Sequence, residues 1–126
     1  MTSSHLPPIS VAELMTREVV TASPATPVAE LARLLLAHGI GGMPVVDEAG
    51  LLVGMVSGFD VISKAGDTAG EVMSRGVVFV TEDAGVEDVV RLMGLHGIRR
   101  VPVCRDRRIV GIISRSDLLR HYVGNE

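Results

Sequence analysis

The residues best suited to chemistry in this chain are a serine and a carboxylate that recur together, in Gly54-x-x-Ser57-x-x-Asp60 and again in Gly111-x-x-Ser114-x-x-Asp117. A β-branched run precedes each serine and a helical pattern follows it, so each motif falls where a strand passes into a helix. A hydroxyl, a carboxylate and the free N–H groups of a helix start meet there. Phosphate is favoured at such an N-terminus, and a ribose diol can donate to the carboxylate. Together these groups match the polar edge of a nucleotide. Ser-x-x-Asp is also close to a capping box, which satisfies a helix start with no ligand at all, so the motif alone leaves both roles open.

Other reactive side chains are sparse. His38 and His96 stand in equivalent places before Gly39 and Gly97. No Cys, Asp or Glu accompanies either at metal-ligand spacing, and a histidine in the last helical turn suits the helix dipole, so no metal is expected. Cys104 aligns with Val46 inside a strand and reads as a small core residue rather than a nucleophile. His5 and His121 lie near the termini and carry no signal. No catalytic triad or P-loop is present, and Gly39-Ile40-Gly41-Gly42 precedes a strand instead of opening a helix, so it is no dinucleotide fingerprint and no enzyme is expected.

The two motifs belong to a longer repeat. Shifted by 58 residues, Glu13-x-Met15-x-Arg17-x-Val19-Val20 falls on Glu71-x-Met73-x-Arg75-x-Val77-Val78, and His38-Gly39-Ile40 and Pro44-Val45 fall on His96-Gly97-Ile98 and Pro102-Val103. The reading is a flexible N-terminus over 1–9, one copy over 10–64, a linker over 65–68, a second copy over 69–122 and a tail over 123–126. A linker this short makes the copies pack directly on each other.

Each copy opens with a capping-box signature, Ser10-x-x-Glu13 or Thr68-x-x-Glu71, for a short helical turn. Strands are expected at Val19-Val20-Thr21 and at Val77-Val78-Phe79-Val80. An amphipathic helix follows: Thr26 should cap it with Pro27 at the first helical position, and Val28, Leu31, Ala32 and Leu35 share a face. Its counterpart turns Val86, Val89, Val90 and Met93 inward. A hairpin comes next, over residues 43–56 or 101–113, and then a helix that directs Val61-Ile62 or Leu118-Leu119 inward. The expected fold is α+β: two β-α-β-β-α repeats packed sheet to sheet about a pseudo-two-fold axis, because a three-stranded sheet with helices on one side must cover its other face.

Composition narrows the function. Of 126 residues, 47% are hydrophobic and 21% charged, the balance of a soluble globular protein. Phe59, Phe79 and Tyr122 are the whole aromatic inventory, too few to stack successive bases, so no nucleic-acid partner is expected. One cysteine rules out an internal disulfide and fits a reducing cytoplasm. Residues 1–9 show no targeting pattern, and no apolar run approaches the roughly 20 residues that span a bilayer. Charge is uneven: residues 1–90 hold four basic against twelve acidic residues, whereas 91–120 hold eight arginines against Asp106 and Asp117. Such a basic cluster is either a solvated face or the seat of an anion.

From Val11 to Tyr122 the chain resembles a tandem pair of cystathionine-β-synthase (CBS) domains, the Bateman module. The resemblance rests on His38-Gly39-Ile40-Gly41-Gly42-Met43-Pro44-Val45-Val46-Asp47 and Gly54-Met55-Val56-Ser57-Gly58-Phe59-Asp60, with Ile98-Arg99-Arg100-Val101-Pro102-Val103 and Gly111-Ile112-Ile113-Ser114-Arg115-Ser116-Asp117 in the second copy. It implies a regulatory or sensor module that binds an adenosine-containing ligand (AMP, ADP, ATP or similar) in the cleft between copies. It also implies a homodimer formed through exposed helix faces into a flat four-copy disc, and an effector protein on another chain.

In the family the two positions before the hydrophobic-Pro step often contact phosphate. Here they are Arg99 and Arg100 in copy two but Gly41 and Gly42 in copy one. By resemblance the main cleft uses Arg99, Arg100, Ser114 and Asp117 with the stretch from Thr16 to Val20, the base resting on Val101-Pro102; Arg115 faces either phosphate or solvent. The second cleft uses Ser57 and Asp60 with Ser74 to Val78 and Met43-Pro44, and is either empty or holds a ligand of little charge. The competing reading is a ligand-free module for dimerisation or protein interaction, in which these residues only cap and solvate.

Overall fold

The computed structural model describes residues 9–124. Most of the expected flexible N-terminus, His5 included, and the last two residues of the tail lie outside the described residues. The chain forms two units, one made of Met1–Glu18 with Val78–Glu126 (unit one) and the other of Val19–Val77 (unit two). Each is mixed α+β, with its own sheet, helices and core.

In unit two, helix α1 (Val28–His38) buries Leu31 and Leu35 and ends at Gly39 in the left-handed conformation, φ 61°. The Ile40 N–H reaches back to the Leu35 carbonyl at 3.0 Å, so the glycine lets the chain close the helix end and turn its apolar neighbour towards the core. Thr26 does not cap this helix. Pro27 is the cap residue, in extended backbone, and the Thr26 hydroxyl instead accepts the Ser23 N–H at 3.0 Å. Strands β1 (Gly42–Val46) and β2 (Leu52–Ser57) pair antiparallel. Asp47 shapes their turn by accepting the N–H groups of Ala49 and Leu51, each at 2.9 Å. Helices α2 (Gly58–Ser63) and α3 (Ala69–Val72) complete the unit.

Unit one repeats the pattern. A 3-10 turn (Val11–Glu13) leads in, β3 (Val80–Thr81) runs parallel to β4 (Arg100–Arg105), and β4 pairs antiparallel with β5 (Arg108–Ser114). Helix α4 (Val86–His96) buries Val86 and Val89 and stops at Gly97, φ 65°, while α5 (Arg115–Gly124) follows β5.

Several expectations are corrected. The run Val19-Val20-Thr21 is not a strand: only Ala22 bridges to Val45, and the Ser23–Thr26 turn with Pro24 then carries the chain away, leaving a two-stranded sheet in unit two. In unit one the leading strand shrinks to Val80–Thr81. Ile62 and Leu119 point outward, 82% and 57% exposed, because helix neighbours one residue apart cannot both face the core, and Val61 and Leu118 take that side. Val90, at the margin of its helix stripe, is 38% exposed.

The units do not follow the sequence copies. The turn that opens copy one packs on copy two: Val11 N–H bonds the Ala84 carbonyl, ahead of α4, at 2.7 Å, and Thr16 exchanges backbone bonds of 2.8 and 2.9 Å with Ile112 of the hairpin. The helix that opens copy two serves copy one likewise, with Ser74 and Met55 exchanging bonds of 2.8 and 2.9 Å. Each contact is seated by a methionine over a glycine. A Cβ on Gly111 would lie 2.9 Å from Met15 Cγ and 3.1 Å from the Thr16 carbonyl oxygen, and one on Gly54 would lie 2.9 Å from Met73 Cγ and 3.0 Å from the Ser74 carbonyl oxygen. Gly94, in the open on α4, meets nothing within 4 Å. Gly111→Ala is therefore expected to destabilise by about 1–3 kcal/mol through overpacking, whereas Gly94→Ala stabilises by about 0.5–1 kcal/mol through helix propensity. Denaturant unfolding of the two variants beside wild type checks the contrast.

Candidate functional site

Strand alternation sorts the hairpin of unit one into two faces. Val101, Val103 and Ile113 point into the core, and Gly111 is on their side beneath Met15. Their neighbours face the other way. Arg100 stands opposite Ser114, Pro102 opposite Ile112, and Thr16 opposite Ile112 on the far side, and directly opposed residues share a face. Arg100, Pro102, Ser114 and Thr16 are thus gathered by register alone.

Asp117, 7% exposed, completes the group from the first turn of α5. Its Oδ2 accepts the Ser114 N–H at 2.8 Å and the Ser114 hydroxyl at 3.1 Å, while its own N–H donates to Ser114 Oγ at 3.2 Å. Its Oδ1 accepts the Thr16 hydroxyl at 3.4 Å and pairs with the Arg120 guanidinium. Capping is therefore real, and it consumes mainly one carboxylate oxygen. Arg99 and Arg100 sit at the mouth of this hairpin, and the Arg99 carbonyl accepts the Arg115 N–H at 2.8 Å. Burial first, and then the adjacent Arg99 charge, push the Arg100 guanidinium below its ordinary pKa. Among the described residues neither Arg99 nor Arg100 has an ion pair. Two adjacent cations without a counter-charge make a place where an anion is favoured. Arg105, by contrast, pairs with Glu82 at 2.7 Å.

Unit two has the same frame with different fittings. Gly42 faces Ser57, and Pro44 and Ser74 flank Met55. Asp60 Oδ2 accepts the Ser57 N–H at 2.8 Å and hydroxyl at 3.0 Å, and Oδ1 pairs with Lys64 Nζ at 2.9 Å. Burial, the largest single influence, would raise the Asp60 carboxyl, but the Lys64 bond and the two Ser57 bonds together outweigh it and hold the group below its ordinary value. Gly41 and Gly42 leave no cation at the place of the arginines.

Of the residues singled out in the sequence, Thr16, Arg99, Arg100, Pro102, Ser114 and Asp117 fall together in unit one, and Ser57, Asp60, Pro44 and Ser74 in unit two. Val101 and Met43 turn their side chains into the cores, since strand alternation places each opposite in sense to the proline that follows it. By the division into units, Val20 falls in unit two and Val78 in unit one. Sequence reasoning missed Arg120 and Lys64; their spacing of three and four residues from the aspartates was the available signal. Cys104 is buried, and burial pushes its thiol up, as suits a packing residue. Among the described residues no group of three His, Cys, Asp or Glu could hold a metal, and no helix is long and apolar enough to cross a membrane.

The fold and the paired Ser-x-x-Asp sites define a tandem CBS-domain protein. The chain belongs to that family: the CBS domain model matches residues 11–67 and again 69–124. It is 36% identical over 124 residues to the CBS domain-containing protein YhcV of Bacillus subtilis, covering 93% of this chain and 88% of YhcV. It is also 33% identical over 120 residues to L-aspartate semialdehyde sulfurtransferase of Methanocaldococcus jannaschii, covering 92% of this chain but only 24% of that enzyme.

Among solved structures it is similar to the CBS domain pair of protein MJ0100 in complex with 5′-methylthioadenosine and S-adenosyl-L-methionine, at TM-score 0.88 and 33% identity, covering 95% and 100% of the two chains. It is likewise similar to CBSX2 of Arabidopsis thaliana in complex with AMP, at TM-score 0.87 and 27% identity, covering 92% and 97%. A third neighbour, Hypoxic Response Protein I with two coordinated zinc ions, has TM-score 0.81 and 26% identity, covering 90% and 98%.

The Asp60 bonds carry a pH signature. A carboxyl held below its unfolded value, 3.8, stabilises the fold above that value and stops doing so as pH falls through the folded one. The gap in melting temperature between wild type and Asp60→Asn is expected to be widest near neutrality and to close below about pH 4, as thermal melts across pH 3–7 would show.

Proposed function

We propose that this CBS pair is a regulatory module that binds an adenosine-containing ligand at the Asp117 site of unit one and catalyses no reaction of its own. The observation that carries the reading is the pairing of Asp117 with two uncompensated arginines on one hairpin. The carboxylate Oδ1, beside the Thr16 hydroxyl, is suited to ribose hydroxyls, and Arg99 and Arg100 to a phosphate. Support comes from similar CBS pairs that bind AMP or S-adenosyl-L-methionine and 5′-methylthioadenosine. A phosphate-bearing ligand such as AMP fits this chain better than a neutral one, because an anion relieves the repulsion between the arginines. The single free cysteine agrees with a reducing, cytoplasmic setting.

The test is a thermal-shift and calorimetric titration with AMP and adenosine. AMP at 100 times its dissociation constant adds about 2.7 kcal/mol, a shift of several degrees. Asp117→Ala is expected to abolish the shift and Asp60→Ala to keep it. Arg99→Ala/Arg100→Ala should weaken AMP at least about tenfold, the worth of one charge-assisted bond, and leave adenosine unchanged. A folded protein that shifts with neither ligand would sink the reading.

A second function, self-association, is favoured by exposed apolar side chains on the helices of both units. Leu36, Phe59 and Ile62 are 83%, 72% and 82% exposed in unit two, and Leu95, Leu119 and Val123 are 75%, 57% and 64% exposed in unit one. Phe59 and Ile62 lie three residues apart on α2, and Leu119 and Val123 four apart on α5, so each pair forms one continuous apolar face of the kind that marks a contact surface, and a homodimer through both sets is the proposed state. Ile62→Asp with Leu119→Asp should halve the mass seen by light scattering while each variant stays folded.

A further inference from the structure

The two site aspartates are held in different ways. In each, Oδ2 is occupied by the serine N–H and hydroxyl, so Oδ1 is the oxygen left for a ligand. At Asp117 that oxygen meets Thr16 and Arg120. The Arg120 side chain is 69% exposed and, among the described residues, has no partner but Asp117. The pair joins this exposed guanidinium to a carboxylate that is 6% exposed, and it is the one tie that Arg120 has among the described residues, so the side chain can turn into water without disturbing any other contact.

At Asp60 the arrangement is a clasp. Lys64 Nζ lies 2.9 Å from Asp60 Oδ1 and also donates to the Val72 carbonyl oxygen at 3.1 Å. Val72 is the last residue of α3, where a helix leaves carbonyls without an intrahelical donor. The Lys64 side chain is 43% exposed and that of Asp60 13%. Ser74, which holds the place of Thr16 in this unit, contributes backbone bonds to Met55 but no hydroxyl bond to Asp60. Moving Lys64 aside breaks two charge-assisted bonds at once and strands the end of α3, whereas moving Arg120 aside breaks one.

We infer that Lys64 is a specificity-determining residue, an internal competitor that occupies the sugar-facing oxygen of Asp60 and keeps the unit-two site closed to adenosine ligands. The inference rests on the reading of Asp117 as a sugar-binding carboxylate, since Asp60 is its counterpart by register. It makes the module one-sited by two independent devices: no cation at Gly41-Gly42 to attract phosphate, and at Asp60 a cation anchored a second time, on the Val72 carbonyl, that does not yield its oxygen to a diol. With the clasp removed, the site should accept a neutral nucleoside.

The experiment is calorimetric titration of the full chain with adenosine, which needs no arginine. Wild type is expected to bind one equivalent per chain, and Asp117→Ala none. Lys64→Met/Asp117→Ala should regain one equivalent, at least tenfold tighter than Asp117→Ala, the worth of one charge-assisted bond, and adding Asp60→Ala should remove it again. Lys64→Arg/Asp117→Ala, which keeps a cation, should stay closed. If Lys64→Met impairs folding, Lys64→Gln keeps a donor for the Val72 carbonyl and serves in its place. A clasp-free chain that binds adenosine no better than Asp117→Ala overturns the inference, as does an Asp117→Ala chain that binds a full equivalent with Lys64 in place. A wild-type chain that binds no adenosine at all would instead overturn the reading of the unit-one site, while the comparison with and without Lys64 still decides the clasp.

Discussion

A methionine lying on a glycine holds each half of this protein together. Met15 over Gly111 and Met73 over Gly54 bring a leading segment so close to a hairpin that no side chain fits between them. The approach does more than fill space. It lets Thr16 and Ser74 exchange backbone hydrogen bonds with Ile112 and Met55, which satisfies groups that would otherwise be stranded at a sheet edge. With the methionine fixed on the core face, the next residue must lie on the opposite face, beside the serine that ends the strand.

That alternation is how packing becomes chemistry. The site face is not a separate construction laid over a core; it is the other side of the same two strands. Ser114 ends its strand and caps the helix, so Asp117 is turned back onto it, and Arg100 is delivered across the pair by register. Rigid strands and a capped helix fix the carboxylate, while the arginines at the strand mouth lie beside a loop. Such a division suits a binding site, with precise acceptors for a sugar and adjustable cations for a charged group. Unit two keeps the frame and replaces the cations with glycines, so the two halves share geometry and differ in charge.

Much of this was legible in the residues. The 58-residue offset, the αL glycines Gly39 and Gly97, both hairpins and both Ser-x-x-Asp turns follow from local pattern, because each is a short-range arrangement with its own chemical signature. The rest depends on what a window of sequence does not contain. Val19-Val20-Thr21 has the composition of a strand, yet strand formation needs a partner along its length, and the turn at Ser23 and Pro24 withdraws it. Leu119 and Ile62 look like core beside Leu118 and Val61, but only the direction of the helix decides which of two neighbours is buried. Lys64, the last residue of copy one, carries no signal of its own until the carbonyl of Val72, eight residues on, is brought to it. The general place of the site was readable; the ammonium and guanidinium that guard its carboxylates were not.

The crossing of segments between the two copies bears on what a single copy could be. A chain of one repeat, cut anywhere near 65–68, would carry a leading turn with no hairpin of its own to sit on and a glycine with no methionine to cover it. Two such chains could complete each other only by trading their first segments, one serving the other's hairpin in return, as domain-swapped partners do. The tandem arrangement makes that trade within one molecule, where the second segment is always at hand and no concentration of free partners is needed. Once both halves are on one chain, each is free to drift from the other in charge without losing its means of folding, and one set of residues can turn from glycine to arginine while the scaffold stays twofold.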